Sequence, residues 1–186
     1  MNRHRLPLAD LAKHATHTAV SQVIETVADL GPDRIGRLMP ERPPTLMLKA
    51  ASILKHVQNH EATMITAFGN IPAEACRGHF PGYPVAPLAQ TALLLAQSGA
   101  LLLSWSFQKP NTAYLVVSLN DLRTGRRGPI VPGETLCASA QVLALRKGTA
   151  RLEGILSDET GRRILTMSGI LYFEYPIPPL NRKPAQ

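Results

Sequence analysis

One histidine of this chain sits where proton chemistry is possible. His79 lies inside "RGHFPGYPVAP", residues 77–87, directly before Phe80-Pro81-Gly82-Tyr83-Pro84, and a long run of Ala, Leu and Gln follows. Proline and glycine at this density mark a turn. A histidine in an ordinary turn needs no special account. A turn built to hold an imidazole against a substrate would supply a base, because histidine titrates near neutral pH. Cys76 and Cys137 form no CxxC pair, so neither a disulfide framework nor a structural zinc site is expected, and both are read as small buried apolar residues. His4, His14 and His17 have no Cys or carboxylate cluster beside them. A solvated helix face is expected there, and no metal or other cofactor is implied.

The totals bound what can surround this histidine. The chain has 186 residues, 45% of them hydrophobic, which fits one domain with a real core. The longest apolar run, "APLAQTALLLAQSGALLLSW", is interrupted by Gln and hydroxyl residues, so no membrane span is expected. The opening "MNRHRLPLADLAKHATHT" has no apolar core of a secretory signal. A reducing cytoplasm is the simplest compartment. Twenty Lys and Arg against 13 Asp and Glu leave a formal charge of +7. Arg123, Arg126 and Arg127 gather in "RTGRRGP", and aromatic residues make up only 5% of the chain. Without a stacking platform, an acidic protein is favoured over nucleic acid as partner of this basic face, and no membrane partner is expected.

Hydrophobic spacing then gives the elements that must position His79. Leu8, Leu11, Ala15, Val20, Val23, Ile24, Val27 and Leu30 predict an amphipathic N-terminal helix over 8–30, ended by Gly31-Pro32. "TLMLKAASILKHV" and "EATMITAFG" are strand-like, and a helix apolar nearly all round is predicted from Ala86 to Ser104. Four further strands are expected at "TAYLVVSLND", "ETLCASAQVLAL", "TARLEGILSDE" and "RRILTMSGILYFEY". In the last, period two puts Leu165, Met167, Leu171 and Phe173 on one face. Two strands, one buried helix and four antiparallel strands make an α+β domain wrapped around a single helix. The expected organisation is an N-terminal extension and linker over 1–37, the domain over 38–175, and a Pro-rich tail over 176–186.

On these residues the chain resembles the 3-hydroxyacyl-acyl-carrier-protein dehydratases of type II fatty-acid synthesis. "GHFPGYPVAP" is similar to their GHFPG-x-P-x-x-PG motif. "LMPERPPTLMLKAASIL", "SLNDLRTGRRGPIVPGETL" and "RRILTMSGILYF" resemble three further family segments in the same order, over about residues 38 to 174. The resemblance implies a hot-dog fold, a curled antiparallel sheet around one long helix. It implies that His79 is the catalytic base, that Phe80 and Gly82 shape its turn, and that Leu88, Ala89, Gln90, Leu93 and Gln97 face substrate. Backbone N–H groups at Leu88 and Ala89 would polarise the thioester carbonyl. Arg123, Arg126 and Arg127 would meet the acidic acyl carrier protein and its phosphopantetheine-linked chain.

The resemblance also exposes a gap. The family's acid lies fourteen positions beyond the histidine, and here that position is Leu93. No Asp or Glu occurs between Gly78 and Lys109. Gln90 and Gln97 share the helical face of position 93, yet an amide cannot donate a proton as an acid; Gln97 matches a glutamine that many family members carry, for which the resemblance implies local hydrogen bonding. Leu88 replaces the family's usual Gly, and the strand "LMLKAAS" lacks the usual aspartate. In the family each site combines a histidine with the acid of the other subunit. The resemblance therefore implies a dimer, and a heterodimer with an acid-bearing paralogue would restore one site. Three readings follow: a dehydratase subunit needing a partner's acid, a non-catalytic acyl-binding or partner-stabilising subunit, and a thioesterase or double-bond isomerase on the same fold.

Overall fold

The computed structural model describes residues 24–56, 63–125 and 128–178. In chain order these form β1 (Ile24–Leu30), α1 (Pro32–Leu38), β2 (Leu48–His56), β3 (Thr63–Gly69), a 3-10 turn (Ala73–Cys76), α2 (Leu88–Phe107), β4 (Thr112–Asn120), β5 (Arg123–Thr124), β6 (Leu136–Arg146), β7 (Thr149–Asp158) and β8 (Arg163–Pro176). Every strand pairs antiparallel, in the order β1-β2-β3-β6-β7-β8-β4, and the short β5 adds to β8. The sheet curls around α2, which touches β2, β3, β4, β6, β7 and β8. This is the hot-dog architecture that the sequence implied.

Burial follows from the composition of α2. Thr91, Ala92 and every residue from Leu94 to Ser104 are buried. The helix is long and apolar enough to cross a bilayer, but 72% of its most apolar window is buried inside the fold, as a core helix requires. Small residues let sheet and helix approach. A Cβ at Gly99 would overlap the Tyr172 phenol oxygen, and one at Gly154 would stand 2.9 Å from Leu95 Cδ1. The fully buried Tyr172 donates its hydroxyl to Ala96 O at 2.7 Å, and burial drives its pKa upward, so it remains a neutral donor.

Two expectations change. Of the helix predicted over 8–30, residues 8–23 lie outside the described residues, and Ile24–Leu30 is a strand. It pairs with β2 from Ile24↔His56 to Leu30↔Ala51, and Ser52 donates to Asp29 at 2.6 Å. Sheet pairing with an existing edge outweighed the helical period, which these β-branched residues support only weakly. Gly31-Pro32 starts a helix instead of ending one. Gly31 is the N-cap of α1 and Pro32 occupies the first position, where its missing N–H costs nothing. Residues 24–38 thus join the sheet and its packing.

The second change concerns β8. Leu165 and Met167 point to the core, but Leu171 and Phe173 point away from it, while Ile170 and Tyr172 are buried in their place. The pairing explains the switch. Gly154 faces Met167 and Leu152 faces Ile170, so two residues of β8, Ser168 and Gly169, oppose one residue of β7. A bulge of this kind shifts the strand by one and exchanges its faces. The contact between Gly99 and Tyr172 depends on that shift. Gly99→Ala is expected to cost about 1–3 kcal/mol in denaturant unfolding, and Tyr172→Phe about 1 kcal/mol. The double variant should be more stable than the sum of the two losses; strict additivity would rule out the direct contact.

Candidate active site

The turn that carries His79 is set by backbone conformation. Gly78 and Gly82 both lie at positive φ, 81° and 82°, and Phe80 between them takes φ 56°. For Phe this left-handed conformation costs on the order of 1 kcal/mol. His79 N–H donates to Cys76 O at 3.1 Å and Tyr83 N–H to Phe80 O at 3.0 Å, closing the turn on both sides. The imidazole meets the Phe80 ring edge-on, with centroids 4.6 Å apart.

The ring is also oriented. Nδ1 of His79 lies 3.0 Å from Val85 O. A carbonyl only accepts, so in the neutral ring Nδ1 carries the proton and Nε2 keeps its lone pair. Val85 is itself held, since the next N–H, of Ala86, donates to Ile130 O at 2.8 Å. Gly133 N–H in the same loop reaches Ile71 O at 3.0 Å. The segment 130–133 therefore clamps the chain that orients the imidazole. No sequence pattern names Val85 or Ile130, because each acts through its carbonyl.

Helix α2 begins just beyond. Its N-cap is Pro87, with no side-chain cap, and Gln90 and Thr91 N–H both turn back to Pro87 O. The N–H groups of Leu88 and Ala89 have no acceptor among the described residues, as the first turn of a helix leaves them. Phe80, Tyr83 and Leu88 stand exposed around this opening, and Leu93 lies half-buried one turn into the helix. His79, Phe80, Gly82, Leu88 and Ala89 are thus gathered by one turn and the helix start that follows it, with Gln90 partly buried there. Two cavities of about 390 and 350 Å³ lie elsewhere; one is lined by Pro44, Met47 and Lys49, the other by Arg37, Ser104 and Tyr114.

Gln97 is committed to the fold. It is 2% exposed; its Oε1 accepts from Met47 N–H at 3.1 Å and its Nε2 donates to Thr45 O at 2.8 Å. Both ends of the amide bond to backbone, so its role in the fold is to tie the helix to the 45–47 segment. Arg123 is exposed on β5, opposite Thr166 of β8. Arg126 and Arg127 lie outside the described residues. Both thiols are free and buried. Burial pushes Cys76 up, and it pushes Cys137 to about 11 against the lowering effect of bonds from Ser157 and Ser139, so neither is a nucleophile at neutral pH. Among the described residues no cluster of His, Cys, Asp and Glu could hold a metal ion.

No family model matches the chain. Curated relatives do. A 3-hydroxyacyl-[acyl-carrier-protein] dehydratase FabZ of Staphylococcus carnosus is 30% identical over 133 residues, which covers 69% of this chain and 86% of that protein. The FabZ of Vibrio atlanticus is 30% identical over 125 residues, covering 65% and 79%. The chain belongs to the FabZ dehydratase family. The FabZ of Tolumonas auensis matches at 29% over 123 residues. Among solved structures, the dehydratase heterocomplex ApeI:P from Xenorhabdus doucetiae shares the fold at a TM-score of 0.58 and 13% identity, covering 76% of this chain and 90% of that one. A putative thioesterase, yhdA, from Lactococcus lactis does so at 0.54 and 9%, covering 73% and 98%.

Two measurements test the assembly. Long-range ¹H–¹⁵N correlation on His79 should find the Nδ1-protonated tautomer; an Nε2-protonated ring would remove the Val85 bond. Gln97→Ala should lower stability by about 2–4 kcal/mol, since it opens a cavity and leaves Met47 N–H and Thr45 O without partners.

Proposed function

We propose that this chain is the base-bearing subunit of a 3-hydroxyacyl-acyl-carrier-protein dehydratase in fatty-acid or polyketide synthesis, completed by the acid of a partner. The observation that carries this reading is the oriented imidazole of His79, with Nε2 free, beside an open helix start and an apolar Leu93. In the reaction Nε2 takes the α-proton of the thioester. The electron pair of that C–H bond becomes the α,β double bond as the β C–O bond breaks. The leaving hydroxyl takes a proton from the partner's carboxylic acid and departs as water. Negative charge developing on the thioester oxygen is met by the N–H groups of Leu88 and Ala89.

Several features support the partnership. The exposed Phe80, Tyr83 and Leu88 around His79 form an apolar rim suited to cover by a second subunit. β4 ends the hydrogen-bonded order and exposes Val117 and Leu119, so its free edge can extend the sheet into a partner. A protein of this fold occurs in a dehydratase heterocomplex. A heterodimer with an acid-bearing FabZ paralogue would hold one complete site and one site with Leu93. For the carrier protein, Arg123 supplies positive charge at the end of the sheet where β3 leads into the His79 turn; the pairs Gly69↔Leu136, Leu136↔Asp158, Leu156↔Leu165 and Thr124↔Leu165 all lie toward that end. Two unpaired thiols fit a reducing cytoplasm.

The half-exposed Leu88 and the apolar Leu93 favour one other reading, a non-catalytic acyl-binding subunit in which His79 is idle. Turnover of a 3-hydroxyacyl thioester separates the two. The chain alone should be nearly inactive, and mixing with an acid-bearing FabZ should give activity that His79→Ala in this chain abolishes when the partner's own histidine is removed. Leu93→Glu should raise the activity of the chain alone by about 10²-fold or more, the usual worth of a positioned acid. No gain from either route would leave the non-catalytic reading. Activity of the chain alone that survives His79→Ala would point to a different reaction.

A further inference from the structure

The far end of α2 borders a cavity that the His79 chemistry does not use. Its volume is about 350 Å³, at the small end of the range for small-molecule sites. The C-terminal ends of α1 and α2, the segment 108–112 and Ile177 form its walls. α2 has 20 residues, so about 30 Å of helix separates this cavity from the His79 turn. Ile177 N–H donates to Asn111 O at 2.8 Å, which ties the segment 108–112 to the end of β8. Leu38, Met39, Pro40, Pro110 and Ile177 give the cavity an apolar side.

The charged lining has one sign. Arg37 and Lys109 line the cavity, and among the described residues no carboxylate does. Lys109 is paired with Glu174 at 2.6 Å, whereas Arg37 has no ion pair among the described residues. Asp33 lies one turn before Arg37 on α1 and Glu41 follows Pro40, yet neither lines the cavity. The C-terminal end of α2 contributes about half a negative charge, which the full charge of Arg37 outweighs. α1, with seven residues, adds little. Ser104 is 7% exposed and lines the cavity, and its hydroxyl makes no hydrogen bond among the described residues. Gln108 takes the left-handed cap of α2 at φ 46°, and Asn111 follows at 52°. Glycine would make such a cap without strain, so glutamine there puts a side chain on the cavity wall at a conformational cost.

We propose that this cavity is a second ligand site, which takes a small organic carboxylate on Arg37. The guanidinium fork matches the two carboxylate oxygens, and Lys109 adds a donor beside it. The Ser104 hydroxyl is free to donate to a ligand oxygen, and the apolar body of the ligand lies against Leu38, Met39 and Pro110. A phosphate fits less well. One unpaired cation matches a single negative charge, and Pro40 and Pro110 have no N–H for further oxygens. This site is separate from His79 and stands whether or not the chain is a dehydratase subunit.

The test is isothermal titration of the full chain with hexanoate, with the neutral hexanamide and with inorganic phosphate. Hexanoate should bind saturably at one site, and the other two at least about tenfold more weakly. Arg37→Ala should weaken hexanoate about tenfold or more, and Arg37→Lys should recover part of the loss. Arg37 is exposed, so both variants are expected to fold, which circular dichroism checks. His79→Ala should leave the hexanoate affinity unchanged. That control matters because the free N–H groups at the start of α2 are the other place for an anion. No saturable binding up to about 10 mM hexanoate would overturn the proposal, as would an affinity that Arg37→Ala does not change. Loss of binding in His79→Ala would overturn it in favour of the helix start. Hexanamide binding as tightly as hexanoate would overturn it in favour of a purely apolar pocket.

Discussion

Everything in this fold depends on bringing a sheet against a helix that has no polar face to spare. α2 is buried from Leu94 to Ser104, so the strands must surround it at van der Waals distance. Glycine makes the approach possible at two points, Gly99 under Tyr172 and Gly154 under Leu95. Polar groups inside this contact have to be fully paired. The Tyr172 hydroxyl bonds to Ala96 O, and Gln97 bonds to Thr45 O and Met47 N–H. Gln97 thereby ties the helix to the loop that feeds β2, which explains a glutamine in an otherwise apolar core.

The candidate site is a consequence of that burial. Because α2 must enter the sheet, its first turn emerges at the sheet's end with two N–H groups unspent, and the turn before it has to reverse sharply. Gly78 and Gly82 supply the positive φ angles, and Phe80 accepts one at a cost. The imidazole of His79 is then fixed by the carbonyl of Val85, which the 130–133 loop holds in turn. The protein orients this imidazole through a main-chain carbonyl. Leu93 sits on the same helix in a half-buried position.

The two ends of the sheet differ in surface. One carries the histidine turn and Arg123; the other carries the exposed Phe173, Tyr175 and the Arg146-Lys147 tip. Such separation is natural in a structure with a single long helix through its centre, since about 30 Å of helix lies between them.

The sequence by itself determined the buried helix, its surrounding strands and the histidine turn. Those features are local, written in the period of apolar residues and in Pro and Gly spacing. Only the tertiary structure decided the rest. Ile24–Leu30 has a helical spacing of apolar residues, but an open strand edge was available and pairing with β2 made it a strand. The faces of β8 exchange at Ser168-Gly169, because a bulge is a property of the register between two strands and period two within one strand cannot reveal it. Gln97 shares the helical face of position 93, but which groups its amide bonds to could not be read from the helix, because its partners lie about fifty residues away in sequence and meet it only when the sheet closes. The proton on His79 Nδ1 is placed by the carbonyl of Val85, and a carbonyl is common to every residue, so no side-chain pattern could have announced it.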